Sequence, residues 1–316
     1  MSEATATVPL EDLQAKGNRE GAVTGLPQVL LNIFFTIYSI ACILPVILIF
    51  AIAFSTEQDI LKYGYKFIPM NFSTEAFEFL FIDYMSIIRA YGVQFFVIVV
   101  GVVLGVLSMA FFAYPISRTD FPHRGFFSFF AIFTMLFNGG LIPWYIVIVN
   151  VLHLKDTLWG LIMPLMISAF WILVMRTFFQ NSIHPAIIES ARIDGAGEFT
   201  TFFKIVFPLS VPVLASVALF QTLLYWNDFF LAMVLIVTPE KYTVQYLMYK
   251  ALQNIQFIAQ NPQIAAEITR SGGVLKLPSE TVRMAMGVMG IGPIVLAYPF
   301  FQRYFVKGLT IGAVKG

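Results

Sequence analysis

The chain has 316 residues, 59% of them hydrophobic and only 12% charged. Soluble domains carry roughly half apolar residues and about a quarter charged ones, so lipid is the solvent for most of this chain. A net charge of +1 excludes the electrostatic footprint of a nucleic-acid-binding protein. The single cysteine, Cys42, excludes an intrachain disulfide, and the scattered His123, His153 and His184 have no metal-ligand spacing.

The first residues, MSEATATVPLEDLQAKGNRE, are polar and acidic. A secretory signal would start basic and turn apolar at once, so 1–28 reads as a lead-in. A membrane domain is expected over 29–305, with 306–316 as a tail. About six apolar runs are long enough to cross a bilayer as helices. They are Val29–Phe54 with Pro45 inside, Gln94–Ser117, and Phe126–Val149 interrupted by Asn138-Gly139-Gly140 and Pro143. Thr157–Phe179, Val206–Val237 and Val282–Phe305 follow. Tyr225-Trp226-Asn227-Asp228 interrupts the fifth run. Gly101 and Gly105 in the second run form a GxxxG, either a close-packing motif or the ordinary glycine of membrane helices. The fold class is therefore an all-α membrane protein.

An even number of spans places both termini on one side. The loops 55–92, 150–156 and 238–281 then share the other side with each other. Lys16, Arg19, Arg118, Arg124, Arg176, Arg192, Lys204, Arg303, Lys307 and Lys315 fall on the side of the termini. There the loops are short and the bases dense, which marks that side as cytoplasmic. Trp144, Tyr145 and Trp159 read as anchors at the outer surface.

Between the fourth and fifth runs lies HPAIIESARIDGAGEFTTFFKIVFPLS, from His184 to Ser210. Pro185 suits the first turn of a helix and Gly195 the position just past a helix end. A short amphipathic helix is expected between them. Alone in water so short a helix is marginal, so it needs something to pack on. One choice is a lipid surface, which favours excess Lys and Arg. The segment instead carries Glu189, Asp194 and Glu198 against Arg192 and Lys204, which favours a protein partner.

The same residues carry a family resemblance. Membrane subunits of ABC importers have a cytoplasmic loop of the form Glu-Ala-Ala, three residues, Gly, nine residues, Ile, one residue, Leu-Pro. Here Glu189-Ser190-Ala191, Gly195, Ile205 and Phe207-Pro208 keep that spacing, with Ser190 and Phe207 departing from it. The string ESARIDGA, Arg176-Thr177-Phe178-Phe179, Tyr225-Trp226-Asn227 and the tail YPFFQRYFVKGLTIGAVKG resemble the carbohydrate, maltose-transporter-like permeases. Within these the chain is most similar to the Gram-positive-type polysaccharide and oligosaccharide permeases.

The resemblance implies a type I ABC importer permease fold with a cytoplasmic coupling helix, in a bacterial cell membrane, with both termini cytoplasmic. It implies a coupling loop over about 181–208, in which Glu189, Ser190, Ala191, Arg192, Asp194, Gly195 and Ala196 face an ATPase. The tail residues Lys307, Gly308 and Lys315 would reach the same subunit. Implied partners are a second homologous permease, two cytoplasmic ATPase subunits, an extracytoplasmic solute-binding protein and the carbohydrate itself. The chain has no GxxxxGK[ST] phosphate loop, so ATP and Mg²⁺ belong on the partner ATPase and this chain is not an enzyme.

For the sugar itself, the candidates are Tyr225, Trp226, Asn227 and Asp228. An ionisable residue at membrane depth is costly and usually functional, and aromatic rings with amides and carboxylates suit a glycan. The other reading is that these residues only satisfy backbone groups at a helix break, or that Asp228 sits near the outer interface. An ion-gradient-driven secondary transporter is the alternative function, with Asp228 as its intramembrane acid.

Overall fold

The computed structural model describes residues 25–261 and 280–295, with the single residues 263 and 299. Among them the sheet-like pairing is confined to one bridge, Ser55 to Phe72, and helices carry the fold. The long α1, Leu26–Ala53, buries only its last turn, and its apolar flank faces away from the rest of the chain.

The second span is longer than its apolar run. After α2 (Glu57–Tyr63) and α3 (Glu75–Leu80), α4 runs over Tyr84–Ser117, ten residues before the expected start at Gln94. Asp83 caps it, accepting from the Ser86 amide at 3.2 Å and the Ser86 hydroxyl at 2.6 Å. Its first turns hold Ser86 and Arg89, so apolar content alone misses them.

Breaks shape the next spans. Helices α5 (Arg124–Leu136) and α6 (Leu141–Ile146, running on into a π-helical turn to Val151) meet at a 113° bend. Gly140, at φ +84°, makes that turn, and its amide donates to Asn138 Oδ1 at 2.8 Å. Helices α7 (Leu158–Met166) and α8 (Ala169–Ser182) meet at 49°. Helix α9 is Pro185–Ile193, and α10 is Glu198–Thr201. A π-helical stretch over Phe202–Val206 and the short α11 (Phe207–Leu209) lead on at a 78° bend into α12, Val211–Asn227. After a gap at Asp228 and Phe229 comes α13, Phe230–Leu235.

The fifth expected span, Val206–Val237, is therefore not one helix but is bent near Ser210 and broken at Asp228. The loop expected over 238–281 is corrected too, since it contains α14, Val244–Gln260. Val244, Met248 and Ile255 are buried along one stripe of it. The stripe is too diluted by Gln and Lys to register as a membrane run. Residues 280–295 form α15, which covers the described part of the sixth span. Among the described residues two helices are long and apolar enough to cross a membrane, or up to five spans exist if each bent pair counts as one.

Close packing onto α4 holds the bundle together. A β-carbon at Gly101 would run into the Tyr225 ring, and one at Gly105 would lie 2.6 Å from the Met166 carbonyl oxygen. Of the two readings of this GxxxG, close packing is the one the structure has. At membrane depth the broken helices leave carbonyls that side chains must satisfy. Tyr225 Oη donates to the Ile162 carbonyl at 2.7 Å, and Gln94 Nε2 donates to the Tyr225 carbonyl at 2.9 Å. Gln221 donates to the Leu165 carbonyl, which the α7–α8 break deprives of a helical partner.

The sharing of sides expected of the loops appears as contact. Asp156, in the turn after α6, accepts from the Val237 and Thr238 amides at 3.1 and 3.0 Å and pairs with Lys241 at 3.2 Å. The Thr238 hydroxyl and amide lead the interactions that hold the Asp156 carboxyl far below its usual range. Glu57 accepts from the Glu280 and Thr281 amides at 3.1 and 3.0 Å. The three loops after the odd spans thus meet at one end of the bundle.

Candidate functional site

At the opposite end, α9 is built as its sequence dictates. His184 Nδ1 accepts from the Ala186 amide at 3.3 Å, and Pro185 fills the first turn without wasting a donor. The helix closes in a Schellman arrangement. The Gly195 amide donates to Arg192 O at 3.0 Å and the Ala196 amide to Ala191 O at 2.9 Å, with Gly195 at φ +80°. Ala191 is buried, and Ile188 rests on the cluster that includes Phe179, Ile183 and Phe202.

The other expected contacts point outward. Glu189, Ser190, Arg192, Asp194 and Gly195 are exposed, and Ala196 is half-buried. Among the described residues Glu189 and Asp194 side chains have no hydrogen-bond partner; Glu189 borders a cavity of about 280 Å³ between α4 and α9. Ile193 is 87% exposed and Phe199 74% exposed. Both sit beside a charged cluster. The tail residues Lys307, Gly308 and Lys315 lie outside the described residues.

That cluster is what reading along the sequence misses. Arg118, at the end of α4, donates through Nε to Asp120 Oδ1 at 2.8 Å and pairs a second time with Oδ2. Its other arm reaches Glu198 at 2.5 Å and Tyr114 Oη at 3.1 Å. Arg192 closes the ring, 2.9 Å from Asp120 and 3.0 Å from Glu198. Arg118 is the inner member, its side chain only 10% exposed, while the two acids are about half exposed.

The bond from Arg118 holds the Asp120 carboxyl far below the usual carboxylate range, and the same bond raises Arg118. For Glu198 partial burial pushes upward, but the Arg192 hydrogen bond and the Arg118 charge outweigh it and the net shift is down. Both acids are therefore charged at neutral pH. A cavity of about 400 Å³ opens beside them, walled by Phe111, Phe121 and Phe199. The signal in the sequence is four charges within two short segments of a chain with few charges, but their pairing spans up to 80 residues. Arg176 ties the same end, donating to the Ile116 carbonyl at 3.2 Å.

The four path candidates divide. Tyr225 and Trp226 are buried, Trp226 Nε1 donating to Gly290 O at 2.8 Å, so neither ring faces an opening in this structure. Their polar atoms join α12 to α7 and α15. Asn227 is exposed, bonded to Leu223 O at 2.8 Å. Asp228 is half-buried and accepts from the Leu231 amide at 3.2 Å, starting α13.

No family model matches the chain. Curated relatives do. The polygalacturonan/rhamnogalacturonan transport system permease protein YtcP of Bacillus subtilis is 35% identical over 286 residues, 90% of this chain and 96% of that one. Protein LplC of the same organism is 34% identical, over 87% of this chain and 90% of its own. The arabinooligosaccharides transport system permease protein AraQ of Halalkalibacterium halodurans is 26% identical over 91% of this chain. Among solved structures, a chain of a bacterial ABC transporter involved in import of the acidic polysaccharide alginate superposes with a TM-score of 0.76. It shares 28% identity, with 90% of this chain and 99% of that chain covered.

Proposed function

The chain belongs to the membrane-spanning permease subunits of carbohydrate ABC transporters, and from that premise we propose which of its residues take the drive and which meet the sugar. It is a permease for import of an oligo- or polysaccharide, not an enzyme, and ATP hydrolysis belongs to separate ATPase subunits. The ion-gradient-driven alternative gives way to this assignment.

In our reading α9 is the coupling helix. It docks its exposed face, Glu189 to Ala196, on the ATPase, with Ile193 and Phe199 entering an apolar groove there. One observation carries this: two large apolar side chains stand out beside a ring of ion pairs, Ile193 at the end of α9, whose other face is fixed to the core, and Phe199 at the start of α10. A helix pinned on one side and bare on the other can pass on a motion as a lever. The ring from Arg118 to Glu198 makes it rigid against α4. Lys307, Gly308 and Lys315 extend the same contact. ATP and Mg²⁺ sit on the ATPase.

The end bearing α9 is the cytoplasmic one, and the termini lie there. A solute-binding protein meets the opposite end, at Asp156 and α14. A second, homologous permease covers the apolar flank of α1. Asn227 and Asp228 lie on the sugar path.

A photo-crosslinking residue at 193 in the assembled transporter tests the docking. It is expected to capture the ATPase chain, whereas the same residue at Ile33, on the flank of α1, captures none. No ATPase captured from 193 would overturn the reading.

A further inference from the structure

A third cavity, of about 360 Å³, opens between α12, α14 and α15, with Asn227 in its wall. Its walls are of a kind that holds a sugar. Phe229 and Tyr249 both line the cavity, stacked on each other with ring centroids 4.8 Å apart, and supply an aromatic wall. Asn227 and Gln245 add amides. The volume lies within the usual range for small-molecule sites.

One wall residue does not suit a neutral sugar. Arg283 is the one charged side chain lining the cavity among the described residues. Its guanidinium has five donors, and its bond to Glu280 Oε2, at 3.3 Å, uses one weakly. Glu280 is not in the cavity wall and is shared with the Tyr65 hydroxyl at 2.8 Å. Arg283 Nε is buried and without a partner among the described residues. A buried donor left unmade is costly, and a planar guanidinium is the group that best matches a carboxylate.

We propose that this cavity is a station on the sugar path that takes an acidic sugar unit of the uronic acid class, with the ring on Tyr249 and Phe229 and the carboxylate on Arg283. The inference rests on the sugar-import reading and adds the class of sugar to it. Asn227 borders both this cavity and the opening beside Asp228, so it links the two along one route.

The probes are trigalacturonate and its methyl ester, which share the sugar backbone and differ in the charge of the carboxyls and the added methyl groups. Binding of each to the permease–ATPase assembly, purified without binding protein, needs no variant. The acid is expected to bind about tenfold tighter than the ester, the effect of one charge-assisted bond. Arg283→Gln should abolish that preference and Arg283→Lys should keep part of it, with co-purification of the ATPase reporting assembly. Equal affinity for acid and ester in the wild type, or an acid preference that survives in Arg283→Gln, overturns the inference. Its failure is separable from that of the underlying reading. If no glycan is taken up in an ATP-dependent way by the complete transporter, the sugar-import reading falls and this inference with it.

Discussion

The middle of α4 and its last residue are held by opposite chemistry. Near its middle, a neutral donor and close packing tie it to its neighbours: Gln94 donates to the Tyr225 carbonyl, and the bare Gly101 and Gly105 let a ring and a carbonyl approach. At its last residue, Arg118 is tied by ions to Asp120 and Glu198. The difference follows the solvent. In lipid an unmet carbonyl finds no water, so a neutral amide or hydroxyl is needed and a charge is too costly. At the water-facing end the same job falls to side chains that water can partly screen. The first set fixes one arrangement of the bundle. The second holds α9 to α4, which in the proposed reading lets it move as a unit with the ATPase.

Breaking the first set should cost most. Gly105→Val places a branched side chain against the Met166 backbone, which cannot swing aside, and about 3 kcal/mol of overpacking is expected. Thermal unfolding of the assembled transporter should show a large loss. An unchanged midpoint would mean that the helices do not meet at Gly105. Tyr225→Phe removes only the donor to Ile162 O and should cost about 1 kcal/mol, read in the same assay.

Breaking the second set should leave stability nearly intact and change coupling. Arg118→Ala leaves Asp120 and Glu198 without their inner cation. The ATP hydrolysed per sugar imported is expected to rise about fivefold, the low end of measured coupling energies. Arg192→Ala, at the exposed edge of the ring, should raise it less. A pH series sharpens the contrast by the smallest effect. Both acids titrate below their unfolded values, so their contribution is complete above the ordinary carboxylate range and fades as pH falls through the depressed folded values. The ratio should therefore be flat from about pH 5 to about 8. A step near neutrality would assign the coupling to another group.

How much of this is legible along the chain depends on the range of each interaction. Pro185 and Gly195 act on their own neighbours, so the sequence alone marks the bounds of α9. Gly101 and Gly105 are visible as a pattern, but only the Tyr225 ring and the Met166 carbonyl decide what the pattern is for. Helix α14 reads as loop because Gln and Lys dilute the residues around its stripe of Val244, Met248 and Ile255, and the segment falls short of a membrane run. The apolar run starts later than α4 itself because Asp83 and Arg89 are polar yet capping or helical. The Arg118–Glu198 ring is out of reach altogether. Arg118 and Arg192 have a local explanation as markers of the inner side, and nothing local says that residues 80 apart close a ring. Tyr225 and Trp226 look like sugar ligands for the same reason that they are good interior donors: each joins a large ring to one polar atom.

The most direct measurement on the central claim, that α9 transmits the ATPase stroke, is sugar uptake and ATP hydrolysis by Gly195→Trp in proteoliposomes with the complete transporter. Among the described residues a β-carbon at Gly195 meets no atom within 4 Å, so the cost there is that of the left-handed backbone, about 1–2 kcal/mol. The bulk points where the ATPase is proposed to dock. The account predicts an assembled complex whose uptake falls about tenfold or more while ATP hydrolysis falls less, so that the two separate. Uptake at the wild-type rate, with the usual ATP consumed per sugar, would contradict it.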